Sequence, residues 1–255
     1  MKSFIQATVT DRTQISPNMI RVRLQSAMIK SFPVSAIGGH IKLIFPKEGQ
    51  SQKDFGRFIG SFGMRKRMRT YTIRNLQQES GEIDVDFVAH GDEGPASAWA
   101  LSANLGDFIG LSFPGSPKMK RSQSNKYLVA VDMTAFPAAA TGIEALPADA
   151  QGDVYTEILS KADIQPINAP DGINLHWIVN NGSEGLGHEL VNTIRSRSLD
   201  GDESVFVAGE YKTVGDLRSY FRDEKKYPKD QLYISSYWKR GLIEAEHKRV
   251  KTLVA

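Results

Sequence analysis

The stretch RMRTYTIRN, Arg67 to Asn75, sets three arginines around Thr70, Tyr71, Thr72 and Ile73, directly after Arg65 and Lys66. In an extended strand Arg69 and Tyr71 point to one face and start about 7 Å apart along the chain. That pair suits a ligand with both a phosphate and a flat ring. Arginine holds phosphate oxygens through paired hydrogen bonds, and tyrosine offers an apolar plane with a polar end. Strict alternation turns Thr72 and Arg74 the other way, so Thr72 would meet the same ligand only through twist or its backbone. The alternative is a half-exposed strand whose polar face holds Arg and Tyr with no ligand between them.

A second candidate is FVAHGDEGPASAWA, Phe87 to Ala100. Gly91 and Gly94 permit a turn there, and PASAWA opens like a helix, whose first amide N–H groups are free for an anion, with Ser97 as a further donor. A plain helix start, with Pro95 in its first turn and Asp92 or Glu93 complementing the dipole, explains the same residues.

Other chemistries are excluded or unsupported. The chain has no cysteine, which rules out disulfides, thiolate-bound zinc, cysteine-held iron–sulfur clusters and a catalytic thiol. The five histidines, His40, His90, His176, His188 and His247, are dispersed, and GHEL lacks the second histidine of a zinc-protease helix, so no protein-held metal is expected. There is no G-x-S-x-G elbow and no complete G-x-G-x-x-G or G-x-x-x-x-G-K-[ST] run. EGLGHEL starts like the second of these three at Gly185 and Gly187 but has Leu190 where a third glycine belongs, and a helix-entry turn accounts for its glycines. A net charge of +3 is mild, and the basic segments lack the interleaved aromatics of a base-stacking surface, so nucleic acid is not an expected partner.

The elements that must position these residues fall into two rhythms. At 255 residues and 40% hydrophobic content the chain can bury a sizeable core. MIRVRLQ and HIKLIF alternate with period two, and RTYTIRN, EIDVDFVAH and GDFIGLSF continue the pattern of short strands, which predicts an antiparallel barrel. Residues 114 to 126, PGSPKMKRSQSNK, read as a linker. Beyond it strands (YLVAVD, DVYTEIL, LHWIVN, SVFVAG, QLYISSYW) alternate with helical stretches (AFPAAATGIEAL, LGHELVNTIRSR, VGDLRSYFRDE), which predicts an open α/β sheet. The tail KRGLIEAEHKRVKTLVA is expected to add a last helix. The N-terminus turns polar too soon for a secretory signal and no run reaches transmembrane length, so a cytoplasmic location without membrane insertion is expected.

RTYTIR, DVDFVAHGDEGPASAWA, VDMTAFPAAATGIEALP, FVAGE and YWKRG, in this order, resemble the siderophore-interacting protein family, a branch of the ferredoxin-reductase-like flavoproteins. The resemblance covers nearly the whole chain. It implies a β plus α/β two-domain fold: an antiparallel FAD-binding β-barrel at residues 1–118, then an open α/β nicotinamide-binding-like domain at 126–255 with a C-terminal helix. By position it implies that Arg69 faces the FAD phosphates, that Tyr71 lies against the isoalloxazine, and that Thr70 and Thr72 flank them, Thr72 near the flavin N5 edge. Asp86, Phe87, Val88, His90, Gly94, Ala96 and Ser97 would complete the flavin and phosphate pocket. Asp132 and Thr134 would contact the adenine end of FAD or simply cap the following helix. Met133 and Phe136 depart from the family's usual acid and aliphatic residue there.

The implied function is a ferric-siderophore reductase passing electrons from NADH or NADPH, with ferredoxin as an alternative donor, through FAD to Fe(III) in an anionic chelate. Glu210, ending VAGE, would lie near the nicotinamide. The recurring basic residues together would raise the local concentration of an anion, and Lys42, Lys239 and Arg240 are the expected chelate-binding residues among them because they stand near the family's flavin and C-terminal motifs. No side chain is expected to act as a catalytic acid or base. A flavin-containing siderophore-binding protein with little turnover and a general flavin or quinone reductase are the alternatives.

Overall fold

The computed structural model describes residues 4–59, 62–89, 95–119, 124–180, 185 and 187–242. His90, Gly94 and most of the expected C-terminal helix therefore lie outside the described residues. Two compact units divide the chain, Met1–Pro117 and Lys118–Ala255.

In the first unit seven strands form one antiparallel sheet: β1 (Phe4–Ser16), β2 (Met19–Gln25), β3 (His40–Ile44), β4 (Met68–Thr72), β5 (Asn75–Gln77), β6 (Glu82–Val88) and β7 (Phe108–Ser112). Their order is β4-β3-β7-β1-β2-β6-β5. The two end strands are consecutive pieces of one segment, so the sheet curls back on itself without a ladder between its ends. That segment is tied on both sides at its bend: Ile73 N donates to Gly39 O at 2.9 Å, and Arg74 N donates to Asp84 O at 2.8 Å. Alternation along the strands sends Ile20, Val22, Leu24, Ile41, Leu43, Ile83, Val85 and Phe87 into a common apolar core.

Two short helices join this sheet. The first, α1 (Gln52–Phe58), interrupts what the sequence presents as an all-strand region. Ser51 caps it by accepting from Asp54 N, and Phe55 is buried with its ring 5.1 Å from that of Phe108. The second, α2 (Pro95–Ser102), is held at its C-terminal end by Arg12, which donates to the carbonyls of Ala100 and Leu101 at 2.8 and 3.1 Å. The start of the expected linker is structured: Gly115 N donates to His40 O at 2.8 Å, and Pro117 bridges to Gly39.

The second unit is a five-stranded parallel sheet of β8 (Lys126–Asp132), β9 (Gln151–Ile158), β10 (Gly172–Val179), β11 (Ser204–Glu210) and β12 (Leu232–Trp238), in the order β10-β9-β8-β11-β12. Helices α3 (Phe136–Glu144), α4 (His188–Arg195) and α5 (Tyr211–Ser219) connect strands, and α5 runs on into a wider π turn at Tyr220–Glu224. Near-continuous apolar runs such as Leu128 to Val131 and Val205 to Ala208 fit a sheet covered on both faces, with separate buried clusters on each. Strand order reverses between β8 and β11, which places a switch crevice beyond Asp132 and Glu210. No helix among the described residues is long and apolar enough to cross a membrane.

Candidate functional site

The register of β3 against β4 decides which side chains share a face. Leu43 pairs with Arg69 and Ile41 with Tyr71, and both aliphatic residues are fully enclosed in the core. Directly opposed residues of an antiparallel pair point the same way, so Arg69, Tyr71 and the enclosed Ile73 line the inner side of β4. The first two keep some exposure. The neighbouring Arg67 is committed to the backbone. Its Nε and Nη2 donate to the carbonyls of Phe45 and Pro46 at 2.9 and 2.6 Å, and burial with the nearby Arg69 charge lowers its pKa.

Arg69 is anchored but not consumed. Its Nη1 donates to the carbonyls of Lys66 and Met68, both at 3.0 Å, and among the described residues its Nε and Nη2 make no hydrogen bond. The guanidinium fork is thus oriented with donors left for an anion. Tyr71 is braced from behind: its ring lies 4.4 Å from that of Phe87 and 6.4 Å from that of Phe45, and Trp99 of α2 packs against the same two phenylalanines at 5.9 and 5.6 Å. Phe87 itself is fully enclosed, so it supports the tyrosine plane rather than lining an open surface. A braced aromatic plane beside an oriented guanidinium fits a ring and a phosphate of one ligand, which is what FAD presents.

The structure does not gather all the expected residues there. Thr70 and Thr72 pair with Lys42 and His40 on the opposite face of β4, and the Lys42 ammonium donates to Thr70 Oγ1. Lys42 is therefore turned away from Arg69 and Tyr71. Asp86 is also committed elsewhere: both its oxygens accept from Arg21, at 2.7 and 2.8 Å, with Arg74 Nε 4.0 Å away. Asp84 forms the matching pair with Arg23 at 2.7 Å. These carboxylates are buried on the side of β6 opposite Phe87, where they tie β2 to β6. Val88 ends β6 opposite Met19. Ala96 and Ser97 are buried in the first turn of α2.

In the parallel unit the carboxylates at the ends of three neighbouring strands are each committed to the chain. Asp132 Oδ1 accepts from Thr134 N, Thr134 Oγ1 and Ala135 N at 2.9, 2.5 and 3.2 Å, and Oδ2 accepts from Trp238 Nε1 at 2.7 Å. Asp132 and Thr134 thus shape the turn entering α3. Burial pushes the Asp132 carboxyl above its ordinary range, against the pull of these hydrogen bonds. Glu157, the register partner of Asp132 on β9, accepts from Gly187 N at 2.7 Å and Asn180 Nδ2 at 3.2 Å. Its pKa is raised by burial first, with the Asp132 and Glu189 charges adding to the shift.

Glu210 caps α5, accepting from Lys212 N and Thr213 N at 2.5 and 3.3 Å, and its other oxygen accepts from Arg240 N at 3.4 Å. Lys239 holds its ammonium 4.5 Å from the centre of the Tyr211 ring. The ends of β11 and β12 therefore fix the Arg240 backbone and the Lys239 side chain, two of the three expected chelate-binding residues. Sequence reading passed over Glu157 and Trp238; an acid and an indole at strand ends were the available signals, with nothing to say that the strands adjoin.

Known proteins match at both levels. The siderophore-interacting FAD-binding domain matches residues 8–118, and the siderophore-interacting protein domain matches residues 124–241. The ferric vibriobactin reductase ViuB of Vibrio cholerae is 30% identical over 94% of this chain and 91% of its own. The chain belongs to the siderophore-interacting protein family.

Family membership extends to the solved fold. The siderophore-interacting protein SipS from Aeromonas hydrophila superposes with a TM-score of 0.84 at 29% identity, covering 100% of this chain and 99% of that one. Ferredoxin-NADP+ reductase from Plasmodium falciparum, at 16% identity with a TM-score of 0.68 over 93% of this chain and 97% of its own, shares the fold. This siderophore-interacting protein thus has the ferredoxin-reductase-like pairing of an antiparallel, barrel-like sheet with a parallel α/β sheet, and the FAD-binding domain of its family.

Proposed function

We propose that this protein is an FAD-dependent ferric-siderophore reductase, taking electrons from NADH or NADPH and releasing iron from an anionic chelate. The observation that carries the reading is the shared inner face of Arg69 and Tyr71: an anchored guanidinium with free donors next to a braced aromatic plane. Flavin, when bound, supplies the conversion between the two electrons of a hydride and the single electrons that Fe(III) accepts, chemistry that no side chain here performs. Arg69 would hold the FAD phosphates, with α2 and the buried Ser97 near its opening turn completing the phosphate end. Tyr71 would cover the isoalloxazine and exclude water from that side. Thr72, facing away by register, would reach the flavin through its backbone.

Lys239 and Arg240 would attract the chelate, and reduction loosens the iron because Fe(II) is held less firmly by hard oxygen ligands. Such a cycle fits the cytoplasm, where reduced pyridine nucleotide is supplied. The test is direct. The purified protein should carry or take up FAD and turn yellow; anaerobic NADH or NADPH should bleach it; adding a ferric siderophore with a ferrous-specific dye should restore the colour with two Fe(II) per donor. A flavin that neither nucleotide bleaches sinks the nicotinamide-driven reading, and a bleached flavin that quinones reoxidise while ferric chelates do not favours a general reductase.

A further inference from the structure

Dinucleotide-binding sheets grip pyrophosphate at the carboxyl ends of their strands, where a glycine-rich turn lets a helix N-terminus approach the phosphates. In the parallel unit the protein's own carboxylates already take backbone amides in the turns that enter the three described helices at that edge. Asp132 takes the turn before α3, Glu157 takes Gly187 N at the start of α4, and Glu210 takes the first amides of α5. The α3 entry offers even less: Met133, Ala135 and Phe136 are buried there, Pro137 has no N–H, and no glycine permits close approach. Gly187 has no open space on its side-chain side either, since a Cβ there would collide with Thr213 Oγ1.

We propose that Asp132, Glu157 and Glu210 exclude a dinucleotide's pyrophosphate from the switch crevice, so that this unit selects its electron donor by the nicotinamide end alone. The proposal rests on the donor reading given above and adds to it a specificity: the adenylate half of NADH contributes little to binding. A phosphate entering the crevice meets three carboxylates beside these amides, and like charges repel. A donor held by its ring has no such conflict.

Two measurements decide it. Titration calorimetry of ADP-ribose into the FAD-loaded protein should give a dissociation constant of about 1 mM or weaker, and Glu157→Gln combined with Glu210→Gln should tighten it by about tenfold or more, since the amides keep an acceptor oxygen and drop the charge. Submillimolar binding by the wild type, or a double variant with an unchanged circular-dichroism spectrum and no gain, overturns the proposal. Should the double variant fold poorly, Glu157→Gln alone carries that arm, with a gain of about threefold expected and no gain counting against the proposal.

In the second measurement, anaerobic flavin reduction by NADH and by reduced nicotinamide mononucleotide, which lacks the adenylate, should proceed at rates within about threefold of each other. An advantage for NADH above about tenfold overturns the proposal. If neither donor bleaches the flavin while ADP-ribose stays unbound in the wild type and binds the variant, the donor reading falls and the pyrophosphate exclusion stands.

Discussion

The indole N–H of Trp238 reaches the Asp132 carboxylate at 2.7 Å across β11, over Gly209, whose missing side chain leaves the path open. A Cβ at residue 209 would stand 2.6 Å from Asp132 Oδ2, and its φ of +149° lies where side chains are rarely found. Gly209→Ala should therefore lose the indole bond and cost about 2–4 kcal/mol, combining backbone strain with a lost hydrogen bond to a charged group. Urea midpoints measure the cost, and a changed tryptophan emission would report the freed indole.

Asp86 with Arg21 gives a second prediction. Removing the carboxylate by Asp86→Ala takes two acceptors from the Arg21 guanidinium and a charge from beside Arg74. Because the Arg21 side chain keeps 30% exposure, the expected loss is below that of a fully buried pair, about 2–3 kcal/mol. A double-mutant cycle with Arg21→Ala should return a coupling of at least about 1 kcal/mol; additive effects would show that the pair contributes nothing of its own.

The raised pKa of Glu157 has a definite sign in stability. A carboxyl that is harder to ionise in the folded than in the unfolded chain contributes stability fully present below the unfolded pKa and lost as pH rises through the folded one. Glu157→Gln removes that contribution while keeping an acceptor for Gly187 N. The variant should gain on the wild type at neutral pH and lose that advantage as pH falls toward the ordinary glutamate range. Denaturant midpoints between pH 4 and pH 8, as a rough window around the reference carboxylate values, would show the two curves converging in acid.

Arg69→Ala should weaken FAD binding by about tenfold to a hundredfold, since a charge-assisted pair of hydrogen bonds to phosphate is lost. Arg69→Lys should recover only part of this, because an ammonium cannot copy the fork that the Lys66 and Met68 carbonyls orient. Flavin fluorescence on dilution measures both. Equal affinity of all three proteins would remove Arg69 from the cofactor site.

Lys239→Ala and Arg240→Ala should raise the KM for an anionic ferric chelate about threefold to tenfold each, and the wild type's KM should rise with salt as the attraction is screened. An unaltered KM in both variants would place the chelate elsewhere.

Period-two alternation made much of this legible in the sequence. β2 runs over Met19–Gln25 as its pattern predicts, and the shared face of Arg69 and Tyr71 follows from spacing alone. What spacing could not supply was register. Lys42, expected to help hold the chelate, pairs with Thr70 and so faces away from Arg69 and Tyr71, and only the β3–β4 ladder sets that. The ion pair of Asp86 was equally invisible, because its partner Arg21 is 65 residues away. Helix α1 escapes sequence reading because its seven residues are too few for a helical period to show, and Phe55 anchors it through packing against Phe108. The bond from Gly187 N to Glu157 depends on β9 ending beside the start of α4, a fact of topology that no local pattern carries.

One ribbon, residues 68–77, both carries Arg69 and Tyr71, the side chains proposed to hold FAD, and supplies the two margins of the curled sheet. On that proposal, loss of FAD would loosen a border strand, and a loosened border is a template for strand addition by another chain. Shortage of riboflavin in an expressing cell would then surface first as insoluble protein, ahead of any deficit in iron handling.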